Sequence, residues 1–166
     1  MRWKFGRWKK SDSVFAVVLL VLLSFRLPGI LEHFRTEGTT HAPVERSVLG
    51  REMTVSYPPA GPAVTIFWAT WCAPCKLEMN RLRASVEAGK IPRDRIFAIS
   101  QGEDAGVLKK FLSENSYPFV FLLAHPQDEA FKISATPTLI LWQDRKVLSM
   151  SAGLSLWGIW RAENLF

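Results

Sequence analysis

Cysteine is nearly absent from this 166-residue chain: Cys72 and Cys75 are the only two, which excludes a disulfide framework and an all-cysteine metal cage. Histidine is almost as scarce, and His33, His41 and His125 stand apart with no spacing that suits a metal. The chain has too little apolar sequence for a multi-span membrane protein, because its one candidate span, the mostly apolar run 13–25, is itself shorter than the ~20 residues that a crossing requires. No internal repeat or low-complexity segment is present. The apparent basic excess, a net charge of +6, is local: Arg2, Lys4, Arg7, Lys9 and Lys10 account for most of it, and 16 of the 21 Lys and Arg remain to face 15 Asp and Glu. That removes the case for a nucleic-acid patch spread over a domain. With 48% hydrophobic and 22% charged residues, the composition is that of one globular domain with an appendage.

The appendage is amino-terminal. Residues 1–12 are basic, and residues 13–25 (SVFAVVLLVLLSF) are uncharged and mostly apolar. Extended through residue 31 with Arg26 snorkelling to the interface, the stretch reaches 19 residues and can cross a bilayer. A cleaved signal peptide is the competing reading, but no small-x-small site closely follows Phe25. The expectation is an uncleaved anchor over 13–31, with its basic end in the cytoplasm and all that follows on the far side, since flanking Lys and Arg resist translocation. Residues 32–44 are polar, contain Gly38 and lack periodicity, so they read as a tether to a domain over 45–166.

Within that domain, residues 53–57 alternate like a short strand, and residues 63–68 (AVTIFW) form a run suited to a central strand buried on both faces. Cys75, Met79, Leu82 and Val86 recur at helical spacing and stop near Gly89. Residues 95–100 give a second buried-type strand, and Val107, Leu108, Phe111 and Leu112 a second helix. Residues 119–123 give a further strand, and residues 127–133 a turn of helix. Residues 138–142 and 146–150 pair as a hairpin before a closing helix over 154–164. The alternation predicts an α/β fold, a central mixed sheet with helices on its faces.

The sequence Trp71-Cys72-Ala73-Pro74-Cys75 follows a buried strand and opens a helix. Cysteines three apart on a first turn face the same side and can alternate between dithiol and disulfide. Free amide groups and the helix dipole favour a thiolate at Cys72, and Pro74 suits a first turn because it lacks the amide hydrogen. Cys72 is therefore the expected nucleophile and Cys75, one turn deeper, the resolving thiol. As a purely structural disulfide the pair closes too small a ring to add more than about 2 kcal/mol. Half a zinc site lacks its other ligands, and covalent haem needs a histidine where Lys76 stands.

FWATWCAPCKLEM, with Ala135-Thr136-Pro137 about 60 residues later, resembles the thioredoxin fold, and in particular the membrane-anchored TlpA/ResA type of thiol-disulfide oxidoreductase. The resemblance covers roughly residues 45–165, and residues 101–127 resemble the helix-strand insertion of that group. It implies a cis Pro137 beside the cysteines, and a substrate surface formed by Trp71, Ala73, Pro74, Thr136 and Pro137. It implies no cofactor beyond the Cys72–Cys75 pair and no metal. Its clients would be thiols and disulfides of exported proteins, with apocytochrome c among the possibilities. Its electron donor would be a membrane thiol carrier of the CcdA or DsbD type.

Three positions depart from the wider family. Ile66 stands where thioredoxins carry a buried Asp, so no carboxylate shuttles a proton from there. Glu78, three residues after Cys75, matches a glutamate of the TlpA/ResA group and offers an alternative proton acceptor for Cys75. A surface glutamate paired with Arg81 is the equally weighted alternative. Asn80 replaces a helix-kinking proline. Trp68 reads as core, Trp157 and Trp160 as packing residues. The sequence leaves open the direction of electron flow, and a non-catalytic docking module remains the alternative from another class.

Overall fold

The computed structural model describes residues 36–166, together with 17, 18, 20 and 21. Those four are helical, and the rest of the expected anchor over 13–31 lies outside the described residues. Among the described residues no helix is long and apolar enough to cross a membrane.

Two antiparallel strands, β1 (Val44–Ser47) and β2 (Thr54–Tyr57), form a small hairpin. The main sheet has five strands: β3 (Ala63–Trp68), β4 (Ile96–Ser100), β5 (Val120–Leu122), β6 (Thr138–Gln143) and β7 (Lys146–Ala152), in the order β5-β4-β3-β6-β7. β3 lies at the centre, parallel to β4 and antiparallel to β6. All six of its residues are buried, as its nearly all-apolar run predicts. Helix α1 (Ala73–Glu87) links β3 to β4, α2 (Ala105–Glu114) links β4 to β5, and α3 (Leu156–Glu163) closes the chain.

Period-two alternation sorts the strand residues into two cores. Val64, Ile66 and Trp68 pack on one face with Met79 and Leu82 of α1, Leu108 and Phe111 of α2 and Ile159 of α3. Ala63 and Phe67 point to the other face, where Tyr57 of β2, Phe131, Ile140 and Trp142 meet. The expected mixed sheet with packed helices is present, and all three α-helices lie on the first face. The reason is topological. β3, β4 and β5 advance in one direction across the sheet, and right-handed crossovers then place α1 and α2 on the same side. The second face is covered by the β1–β2 hairpin and a 3-10 turn over Pro126–Phe131. A buried pair holds these together: Arg46 of β1 bonds both oxygens of Asp128, at 2.9 and 3.0 Å, and lies 5.0 Å from the Tyr57 ring centroid.

The segment expected as a tether is described from residue 36 onward. Residues 36–41 lie along the edge of β7, with Gly38 N–H donating to Val147 O at 2.8 Å and Val147 N–H donating to Thr39 O at 2.9 Å. An edge strand otherwise leaves such groups unpaired. The β6–β7 turn at Asp144 and Arg145 has positive φ at both residues, 50° and 67°, the twist that a two-residue hairpin demands.

Candidate functional site

The site forms where the carboxyl ends of the parallel strands meet the start of β6. After Trp68 the chain leaves the sheet, and Cys72 N–H donates to Ala69 O at 3.1 Å to close a turn. Cys72 then caps α1: its Sγ accepts from Cys75 N–H at 3.2 Å, with Pro74 in the first turn. Cys72 and Cys75 are joined as a disulfide, their Cα atoms 5.2 Å apart. Cys75 has no exposed surface and Cys72 retains 4%, while Trp71 beside them is 74% exposed and Ala73 and Pro74 are exposed. The outer position of Cys72, at the amide-rich end of α1, suits the attacked and attacking sulfur.

The Thr136–Pro137 bond is cis, in agreement with the implied geometry, and Pro137 is buried. Trp71, Ala135 and Thr136 line one cavity of about 230 Å³, so the two motifs, far apart in sequence, share a surface. Gly153 N–H donates to Pro137 O at 2.7 Å, tying the end of β7 to the same loop.

Glu78 is buried rather than a surface residue. Its Oε2 accepts from Arg81 Nη1 at 3.0 Å and its Oε1 from Ser155 N–H at 3.3 Å. The ion pair with Arg81 expected of a surface residue is therefore present, but with its glutamate buried and Arg81 partly exposed, and a second element is bound to Glu78. Burial pushes the Glu78 carboxyl above the usual glutamate range, against the opposing pull of the Ser155 bond and the Arg81 charge. Ile66 is fully buried in the same core cluster as Cys75, so the inner side of the pair is apolar. Helix α1 runs through Asn80 without a break.

Glu103 was not foreseen. Its carboxylate accepts from Thr70 N–H at 2.9 Å, from the Thr70 hydroxyl, and from the Ser100 hydroxyl at 2.7 Å, fixing the loop two residues ahead of Cys72. A carboxylate in a loop 31 positions after Cys72 forms no local pattern, and only the β3–β4 pairing brings it there. Trp68 is core, its ring tilted against that of Phe111 with centroids 5.0 Å apart. Trp157 and Trp160 are not packed into the core: they stack on each other at 4.5 Å and stay 65% and 51% exposed. His125 caps the 3-10 turn, its Nδ1 accepting from Gln127 N–H at 3.2 Å.

The AhpC/TSA family matches residues 44–148. Among solved structures, a thio-disulfide isomerase from Thermus thermophilus is 27% identical with a TM-score of 0.56, over 72% of this chain and 87% of that one. StoA from Bacillus subtilis is 19% identical with a TM-score of 0.61, over 75% of this chain and 96% of that one. A putative thiol:disulfide interchange protein DsbE from Chlorobium tepidum is 20% identical with a TM-score of 0.60, over 76% and 97%. The last two likenesses are likenesses of fold. No curated protein matches the chain. The family match spans more than half of the sequence, and the cysteine pair heads a helix on a thioredoxin-like sheet: the chain belongs to the AhpC/TSA family and is a thiol-disulfide oxidoreductase.

Proposed function

We propose that the chain is a reductant of the TlpA/ResA type, held by residues 13–31 on the outer side of a cytoplasmic membrane and acting on disulfides of exported proteins. The observation that carries this reading is the Cys72–Cys75 disulfide at the exposed head of α1 with a buried carboxylate, Glu78, one turn beyond it. A carboxylate near the pair disfavours thiolate, withholds stabilisation from the reduced form and so makes the pair more reducing.

The reaction begins from the reduced pair. Cys72 thiolate attacks one sulfur of the client disulfide, forming a mixed disulfide and releasing the other client sulfur as thiolate, which takes a proton from water. Cys75 then loses its proton to Glu78 and attacks the Cys72 sulfur. The second client thiolate leaves, the chain is left as the Cys72–Cys75 disulfide, and two electrons have passed to the client. In this reading Trp71, Ala73, Pro74, Thr136 and Pro137 form the surface against which the client segment lies. A membrane thiol carrier, of the CcdA or DsbD kind, returns the two electrons, and apocytochrome c awaiting haem is a fitting client.

Trapping tests the reading. Cys75→Ser in the full chain is expected to accumulate mixed disulfides with exported proteins through Cys72, resolved by added thiol. Non-covalent complexes alone, with no thiol-sensitive adduct, would favour a docking module. The opposite direction, an oxidant that introduces disulfides, uses the same residues and is separated from the present reading by the reduction potential.

A further inference from the structure

The three parallel strands end on one edge of the sheet: β3 runs into Cys72, β4 into Gln101, and β5 into the loop that carries His125. Crevices outside the carboxyl ends of parallel strands are the usual ligand sites of open α/β sheets. Here two cavities meet on that edge. The one beside the redox pair, about 230 Å³, is walled by Trp71 and Thr136. Its neighbour, about 540 Å³, is walled by His125, Glu129 and Lys132 of the 3-10 turn. Gln101 and Ile133 line both, so the two are halves of one trough.

Gln101 stands at the junction. Its backbone is fixed, N–H to Trp68 O at 2.8 Å, and the residue is half-buried. Its side-chain amide makes no hydrogen bond among the described residues, leaving a donor and an acceptor facing the trough. An extended peptide offers the matching pair in its own backbone. Asp128, also in the second cavity, is neutralised by Arg46, so the carboxylate offered at the far end is Glu129.

We infer that this trough is an extended client-binding groove, in which Gln101 bonds the backbone of the client beyond its exchanging cysteine and Glu129 reads a polar or basic side chain further along. The substrate class is therefore a polypeptide in extended form with polar residues flanking the cysteine, not a small thiol. The inference rests on the thiol-exchange reading and deepens it. Gln101 and Glu129 act as specificity-determining residues and take no part in the bond exchange.

The test compares disulfides of different reach on the reduced full chain. The substrates are glutathione disulfide and a peptide disulfide with polar arms of about six residues, which extend about 20 Å. Wild type is expected to favour the long peptide, and Gln101→Ala to lower the ratio of peptide to glutathione-disulfide rates about tenfold, the worth of a lost hydrogen-bonded contact. Glu129→Lys, an exposed change that spares the fold, is expected to lower the rate with a lysine-armed peptide relative to a glutamate-armed one. Equal preference for both substrates in wild type, or ratios that neither variant moves, would overturn the groove while leaving thiol exchange intact. A wild-type chain that exchanges with neither substrate would overturn the groove together with the reading beneath it.

Discussion

Glu103 grips Thr70 twice, accepting from its backbone N–H at 2.9 Å and from its hydroxyl, and so anchors the loop that delivers Cys72. Strand β3 ends at Trp68, four residues before that cysteine, and the only regular bond inside the interval is Cys72 N–H to Ala69 O. The carboxylate supplies the rigidity that the loop itself lacks. Bound to Thr70, two residues ahead of Cys72, the carboxylate is expected to oppose the helix dipole at the Cys72 sulfur.

Glu103→Gln should keep the shape of this clamp and remove its charge. The Cys72 thiol pKa is then expected to fall, seen as a shift to lower pH of the alkylation rate of the reduced protein. Glu103→Ala should in addition leave Thr70 N–H without its partner and cost about 1–3 kcal/mol in urea unfolding. An alkylation profile unmoved by Glu103→Gln would show that the clamp is mechanical only.

Glu78 gives a second prediction. Because burial raises its pKa above the ordinary 4.5, the folded state holds that proton more tightly than the unfolded chain. Its contribution to stability is present below 4.5 and is lost as pH rises through the folded value. Glu78→Gln should flatten this fall in a pH series of unfolding midpoints. It should also slow resolution by Cys75 near neutral pH, and a pH–rate profile identical to wild type would contradict the shuttle.

The Arg46–Asp128 pair joins the β1–β2 hairpin to the 3-10 turn with both side chains almost fully buried. Asp128→Ala strands the guanidinium in the interior and should cost about 3–5 kcal/mol by urea unfolding. The same change frees the His125 N–H, which donates to Asp128 Oδ2 at 2.9 Å, and so loosens the far wall of the trough. Peptide exchange should therefore suffer more than exchange with glutathione disulfide.

Local sequence pattern was informative wherever a single element decides the outcome. The apolar run of β3, the helical spacing of Cys75, Met79 and Leu82, and the hairpin around Asp144 and Arg145 all appear where the periodicity places them. The redox pair was legible because strand, C-x-x-C and helix lie in one stretch. What stayed hidden depends on contacts between distant segments. The burial of Glu78 is set partly by Ser155, 77 residues away, and helical spacing alone put it on a neighbouring face open to solvent. The chain before β1 reads as a polar tether because its partner, the edge of β7, offers only backbone groups, which leave no trace in composition. Trp157 and Trp160 mislead in the opposite sense: aromatic residues on a short helix suggest a core, yet Ile159 and Ala162 form the buried face of α3.

The account stands most directly on the reduction potential of the Cys72–Cys75 pair in the full chain, poised against defined thiol buffers. A value well below about −220 mV is the predicted result and marks a reductant that needs an electron donor. A value near −120 mV would contradict it and make the chain an oxidant.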